Sequence, residues 1–314
     1  MSNVQGWRPV GIDEVLGSAE GRFFGSGYRR VQHVLCGGLS SLTEFQGDAR
    51  VGYPEDWSLT SDGTPRTPHL STIDGVVLPL QAISPSWGVA AGDYVSEVRL
   101  KAGSRPWLQL DHVPVAVSSS GGDGTERFER VFSARVGNIR ASVTVRNAED
   151  SPRSRAEPTP AESSVHTKLY RQTAMQTVVL GFKPSSGVLR ARHRAGEPPG
   201  PQAAVGSGLE DEYWPCLTAV DYLVTMGEAV QVLIGERYGA GRSGGQLWMR
   251  SMQIQLPRPP QRLPAEFSSV TEPVSESTLD RADKKIHQVE TESVTSTGVR
   301  VAAKLAYVRE GSPK

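Results

Sequence analysis

Apolar residues recur at Val220, Leu223, Val224, Ala229, Val230, Leu233 and Ile234, close to the 3.6-residue period of a helix. Thr218, with Asp221 three residues later, matches a reciprocal capping box, so a helix is predicted to start at Thr218 and to stop near Gly235. Few charges interrupt the run, which predicts a buried core helix, too polar and, at about 17 residues, too short to span a membrane. Residues 69–78 repeat this opening: Ser71, two residues, Asp74, then an apolar stretch. Asp74 and Asp221 stand 147 positions apart (221 − 74), close to half of the 314 residues. Aromatic residues precede both, Tyr53 and Trp57 in the first case, Tyr213 and Trp214 in the second. A match at half-length spacing predicts one fold used twice. In the first copy the ring of Pro79 would clash with the carbonyl of Gly75, so that helix is expected to be short or kinked and to end at 84–86.

Around the helices the pattern changes to β-branched enrichment and, at 142–146, to the two-residue alternation of a half-buried strand. Strands are predicted at 94–101, 108–118, 129–146 (broken at Gly137 and Asn138), 173–182, 187–194, 246–256, 286–295 and 298–308. Residues 30–51 are mixed, 53–68, 197–201 and 257–260 read as loops, 121–124 as a hairpin loop and 310–314 as a disordered tail. Three prolines and several charges mark 151–164 as a linker, dividing the chain into domains 1–150 and 165–314. Each half then has one buried helix followed by antiparallel strands. The fold class expected is α+β, a double hotdog in which two antiparallel sheets each wrap one central helix and pair as a pseudo-dimer.

Charge narrows the partners. Lys plus Arg and Asp plus Glu both number 34, and a chain without net charge lacks the basic surplus of a nucleic-acid or anionic-membrane binder. Cys36 and Cys216 are the two cysteines, which implies no disulfide framework. The first residues lack the charged start and apolar run of a signal peptide, so a cytoplasmic location is the expectation. His166, His193 and His287 show no metal-ligand spacing, and neither metal nor cofactor is called for.

The run Arg22-Phe23-Phe24-Gly25-Ser26-Gly27-Tyr28-Arg29-Arg30 combines glycines that permit tight turns with aromatic anchors. It lacks a Walker or Rossmann spacing, and reads first as a structural turn, with a phosphate or pantetheine contact from Arg22, Arg29 or Arg30 as the second reading. This run, with the two helix openings, resembles the avirulence D family, and the resemblance extends from Gly11 to about Val308. It implies chemistry that joins a 3-oxoacyl chain to a ketose in syringolide or butenolide-like secondary metabolism.

Hotdog enzymes act on acyl thioesters, because the N-terminus of the buried helix offers free N–H groups and a positive dipole end to a thioester carbonyl. A His or carboxylate then moves a proton. The catalytic candidates are His69, Asp74 and Asp221. Tyr213, Trp214, Thr218, Glu228, Arg22 and Arg29 are candidates for substrate binding. The pairing of His69 with Asp221 resembles the double-hotdog dehydratases, yet Gly75 and Pro79 follow His69 at intervals unlike the dehydratase His–Gly–Pro motif. Both aspartates also stand where an acid simply caps a helix, and Cys216 reads as a small buried residue. The leading expectation is acyl transfer from acyl-carrier protein or coenzyme A to a sugar or polyol hydroxyl, by a monomer or homodimer. A dehydratase or cyclase acting on a carrier-bound polyketide is the alternative, and a non-catalytic acyl-ligand binder is the third reading.

Overall fold

The computed structural model describes residues 8–41, 43–90, 92–120, 129–148, 164–199, 206, 208–238, 247–281 and 284–308. The expected hairpin loop at 121–124, the tail at 310–314 and the linker, Ser164 apart, lie outside the described residues.

The N-terminal half contributes β2 (Gln32–Ser40), β3 (Glu44–Gly52), α2 (Thr72–Trp87), β4 (Asp93–Lys101), β5 (Val113–Ser120), β6 (Glu129–Val136) and β7 (Ile139–Asn147). The C-terminal half follows with β8 (Ala174–Lys183), β9 (Val188–Gly196), α3 (Ala219–Tyr238), β10 (Leu247–Gln255), β11 (Ala265–Arg281), β12 (Lys284–Thr295) and β13 (Arg300–Val308). A short β1 (Val10–Gly11) and α1 (Ile12–Leu16) precede both. Among the described residues every pairing is antiparallel, and 13 strands form one sheet in the order β1-β8-β9-β11-β12-β13-β10-β4-β7-β6-β5-β3-β2.

Read outward from the centre, the strand order is β4-β7-β6-β5-β3-β2 on one side and β10-β13-β12-β11-β9-β8 on the other. The two runs are the same path taken twice. They join where Glu97–Lys101 of β4 lies against Ser251–Gln255 of β10. A single continuous sheet therefore replaces the two separate sheets expected. β1 pairs with β8 and α1 touches α3, so residues 10–16 lie against the C-terminal half.

The caps form as the spacing predicts. Ser71 and Asp74 make a capping box at the start of α2. At α3 the backbone N–H and hydroxyl of Thr218 donate to Asp221 Oδ2 at 2.7 and 2.8 Å. Pro79 and Pro85 do not stop α2, which runs to Trp87. The helix is buried almost throughout, against its own strands and against α3, and that burial outweighs the lost hydrogen bonds. Likewise α3 continues past Gly235 to Tyr238.

The two helices lie on different beds. Beneath α2 the sheet presents Val98, Leu100, Val115, Phe132, Val143 and Val145, all buried and apolar. Beneath α3 the buried face includes Thr177, His193, Ser269, Thr271, Thr291 and Ser293. Hydrogen bonds join several of these, with Thr177 Oγ1 and Ser269 Oγ at 3.0 and 2.8 Å from His193, and Thr271 Oγ1 at 2.9 Å from Ser293 Oγ. Burial holds the His193 ring neutral, with its pKa lowered to about 4.

Candidate functional site

A cavity of about 280 Å³ opens at the start of α2. Ser71 and Thr72 of the first helical turn border it, with His69 at one side and Phe23, Phe24 and Trp57 behind. Arg105 and Trp107 from the β4–β5 connection and Trp248, Met249 and Arg250 from β10 complete the wall. Both halves thus contribute. The positive end of a 16-residue helix faces this space, where it favours an anion or a developing oxyanion. A smaller chamber of about 60 Å³ lies next to it and shares Phe24, Thr72, Gln231, Leu247, Met249 and Leu305 with it. Leu223, Met226, Val230 and Met252 make that chamber largely apolar.

The segment 22–30 shapes the cavity. It folds back on itself through Ser26 N–H to Ala19 O and Tyr28 N–H to Phe23 O. A Cβ at Gly25 would collide with the Ala19 carbonyl, and one at Gly27 with the Trp57 carbonyl, so glycine is required at both. The chain thereby presents Phe23 and Phe24 to the cavity. Phe24 lies over Gly227 of α3, where an added Cβ would stand 2.7 Å from the ring.

Of the three catalytic candidates, His69 alone borders the cavity among its described lining residues. Its ring meets Trp57 edge-on at 5.5 Å between centroids, and Nδ1 lies 3.1 Å from Thr67 O. Asp74 sits one layer deeper and is fully buried. It accepts from Ser71 N–H at 2.5 Å, from the Tyr53 hydroxyl at 2.5 Å and from His33 Nε2 at 2.6 Å. With Nε2–H donating to Asp74, His33 Nδ1 faces the Tyr170 hydroxyl and Arg171 Nη2, each at 3.4 Å. Burial and the Asp74 charge push the Tyr53 pKa well up, and burial raises Tyr170 to about 12. Tyr53 therefore stays a donor, and Asp74 holds the Ser71 turn in place from behind the wall.

Asp221 has different surroundings. The start of α3 is closed: Leu217 N–H donates to Gln261 O, and Cys216 bridges to Arg262. Thr218 and Asp221 are 1% and 3% exposed, and neither borders a described cavity. Burial raises the Asp221 pKa to about 6, opposed by the Thr218 hydrogen bonds and the nearby charge of Arg29. Asp221 is not among the described residues that line the cavity with His69. His69 lies beside its own half's helix start, while Asp221 caps a sealed one.

The remaining candidates make contacts within the fold. Arg22, 4% exposed, is ion-paired with Glu228 on α3 and with Asp13 on α1. Burial raises Glu228 to about 7 while Arg22 opposes the rise. Arg29 Nη2 donates to Thr173 O at 2.6 Å, and Nε donates to its neighbour's hydroxyl at Tyr28. Tyr213 donates to Gly92 O at 3.0 Å, and Trp214 is buried with Val165, Leu169 and Cys216. Nearby, Asp211 accepts from Val165 and Gly208 N–H and Glu210 from Val95 N–H. This corner fastens the approach to α3 onto the N-terminal half. It borders neither chamber.

Sequence reasoning missed His33, Tyr170 and Arg171. A signal was present: Tyr28-Arg29 and Tyr170-Arg171 stand 142 positions apart (170 − 28), each just before the first strand of its half. In both pairs Arg Nε donates to the Tyr hydroxyl, at 3.3 and 3.2 Å. Arg29 reaches toward Asp221 and Arg171 toward Asp74, so each half supplies an arm to the other half's helix start.

Among solved structures, a putative thioesterase from Novosphingobium aromaticivorans DSM 12444 is 12% identical, with 88% of this chain and 98% of that one covered at a TM-score of 0.42. A putative thioesterase II from Thermobifida fusca YX is 11% identical over 92% and 98%, with a TM-score of 0.43. The dehydratase domain from the CurJ module of the curacin polyketide synthase is 11% identical over 89% and 98%, with a TM-score of 0.37. No curated protein matches the sequence. The model of the family described as Pseudomonas avirulence D protein (AvrD) matches residues 10–308. Matched over nearly its whole length, the chain belongs to the avirulence D family.

Proposed function

We propose that the protein is an acyl-thioester enzyme joining a 3-oxoacyl chain to a ketose or polyol hydroxyl, built as two hotdog units fused into a pseudo-dimer. One observation carries this reading: the start of α2 opens, with His69, onto a cavity that continues into an apolar chamber. The thioester carbonyl sits against the first turn of α2, where backbone N–H groups and the helix dipole stabilise its oxyanion. The acyl tail passes Phe24 into the inner chamber. His69 takes the proton of the attacking hydroxyl, the hydroxyl oxygen bonds to the carbonyl carbon, and the thiolate leaves with a proton. Holding both substrates in one enclosed space supplies much of the acceleration. Acyl-carrier protein or coenzyme A would be the donor's carrier.

The hydro-lyase alternative is less well supported, because no carboxylate is among the described residues bordering the cavity to partner His69. The test is purified protein with a 3-oxoacyl thioester and a panel of ketoses, followed by mass spectrometry. A product of acyl plus ketose mass, formed only with both substrates, is expected. Loss of water from a 3-hydroxyacyl thioester with no acceptor present would overturn transfer in favour of dehydration. Saturable acyl binding without turnover would leave a binding protein.

A further inference from the structure

The inner chamber has a feature that an acyl tail alone does not explain. Its walls on α3 are Leu223, Met226 and Val230, and on the sheet Met252 and Val301, as a hydrocarbon requires. Yet β12 contributes Thr291 and Ser293 to the same lining. Ser293 is paired with Thr271 at 2.9 Å. Thr291 is 2% exposed, and its hydroxyl has no hydrogen-bond partner among the described residues. A buried hydroxyl without a partner is costly, and each such group in a native interior calls for a reason. Valine has the same shape without that cost.

We propose that Thr291 selects an acyl chain bearing an oxygen substituent, hydroxyl or carbonyl, over a saturated chain of the same length. The proposal rests on the acyl-site reading above. Thr72, at the helix start, borders this chamber too, so the carbonyl end of a bound chain and Thr291 share one small space. An oxygen on the chain completes the hydrogen bonding of Thr291. A saturated chain leaves the hydroxyl buried and unpaired, and sites of that kind reject the analogue lacking the polar group. The neighbouring polar bed of Thr271, Ser269 and His193 is already satisfied internally, which leaves Thr291 as the group that reads the ligand.

The test uses two thioethers of pantetheine of equal chain length, one alkyl and one 3-oxoalkyl, which bind but cannot react. Calorimetric titration of the wild-type protein should favour the oxo probe by roughly ten- to hundredfold. Thr291→Val should bring the two affinities within about threefold, chiefly by tightening the alkyl probe, while Thr291→Ser keeps the preference. Equal affinities in the wild type, or a preference unchanged in Thr291→Val, would overturn the role of Thr291. Selective binding of the oxo probe with no acyl–ketose product would leave this inference standing and remove the transfer reading. Binding of neither probe would remove both.

Discussion

The helices α2 and α3 begin with the same four-residue device and finish in opposite circumstances. Ser71 and Asp74 cap a helix whose first turn borders a cavity, whereas Thr218 and Asp221 cap one closed by 261–263. The beds differ in the opposite sense, apolar under the open helix and threaded with hydroxyls under the sealed one. Identical local chemistry therefore says where a helix starts. What stands in front of that start decides whether it can meet a substrate.

The contrast breaks most sharply in catalysis. His69→Gln should lower turnover by about 10² to 10⁴ with acyl binding retained, the usual loss for a general base. Asp221→Asn should keep turnover within about threefold in the same acyl-transfer assay. Equal losses in the two variants would end the distinction between an open and a sealed start.

Stability gives the next test. Arg22 is the buried tie between the 22–30 segment and α3, and Arg22→Ala strands Glu228. A loss of about 3 to 5 kcal/mol in urea unfolding is expected. It should shrink as pH falls toward 7, because Arg22 holds the Glu228 pKa down and its removal lets the stranded carboxylate take up a proton at higher pH.

The pH dependence of Asp221 sharpens the comparison further. Its pKa is raised from 3.8 to about 6, so the folded state binds the proton more tightly than the unfolded chain does. That contribution to stability is full below about pH 4 and is lost as pH rises through about 6. Asp221→Asn removes the loss, on the order of 3 kcal/mol, and flattens the stability profile between pH 4 and 7. Urea midpoints at half-unit intervals would show it, and an unchanged slope would contradict the buried-acid description.

The smallest effect separates the two caps. Ser71→Ala and Thr218→Ala should each cost about 1 kcal/mol of stability. Only Ser71→Ala should also lower turnover, because its turn borders the cavity. Thermal melts paired with initial rates distinguish the two.

Much of the layout was legible because local rules and tertiary structure agree. The Ser71/Asp74 and Thr218/Asp221 spacings located both helix starts, and valine-rich runs located β4, β6 and β7. Where they conflict, the sequence misled. Gly37 and Gly38 and an exposed face hid β2, and Pro273 with its polar neighbours hid β11. Burial carried α2 through Pro79. The site was harder to read, since His33 meets Asp74 across 41 positions and Tyr170 meets His33 across 137. No periodicity encodes such contacts. Only the repeated Tyr-Arg pair hinted at them.

That reciprocal pair has a consequence for inheritance. The arm of each half ends at the other half's helix start, Arg29 toward Asp221 and Arg171 toward the His33–Asp74 pair. A replacement at Arg171 is thus registered at Asp74, in a half that did not itself change. The two halves cannot drift as independent copies: across relatives, residues 28 and 29 should vary in concert with 221, and residues 170 and 171 with 33 and 74.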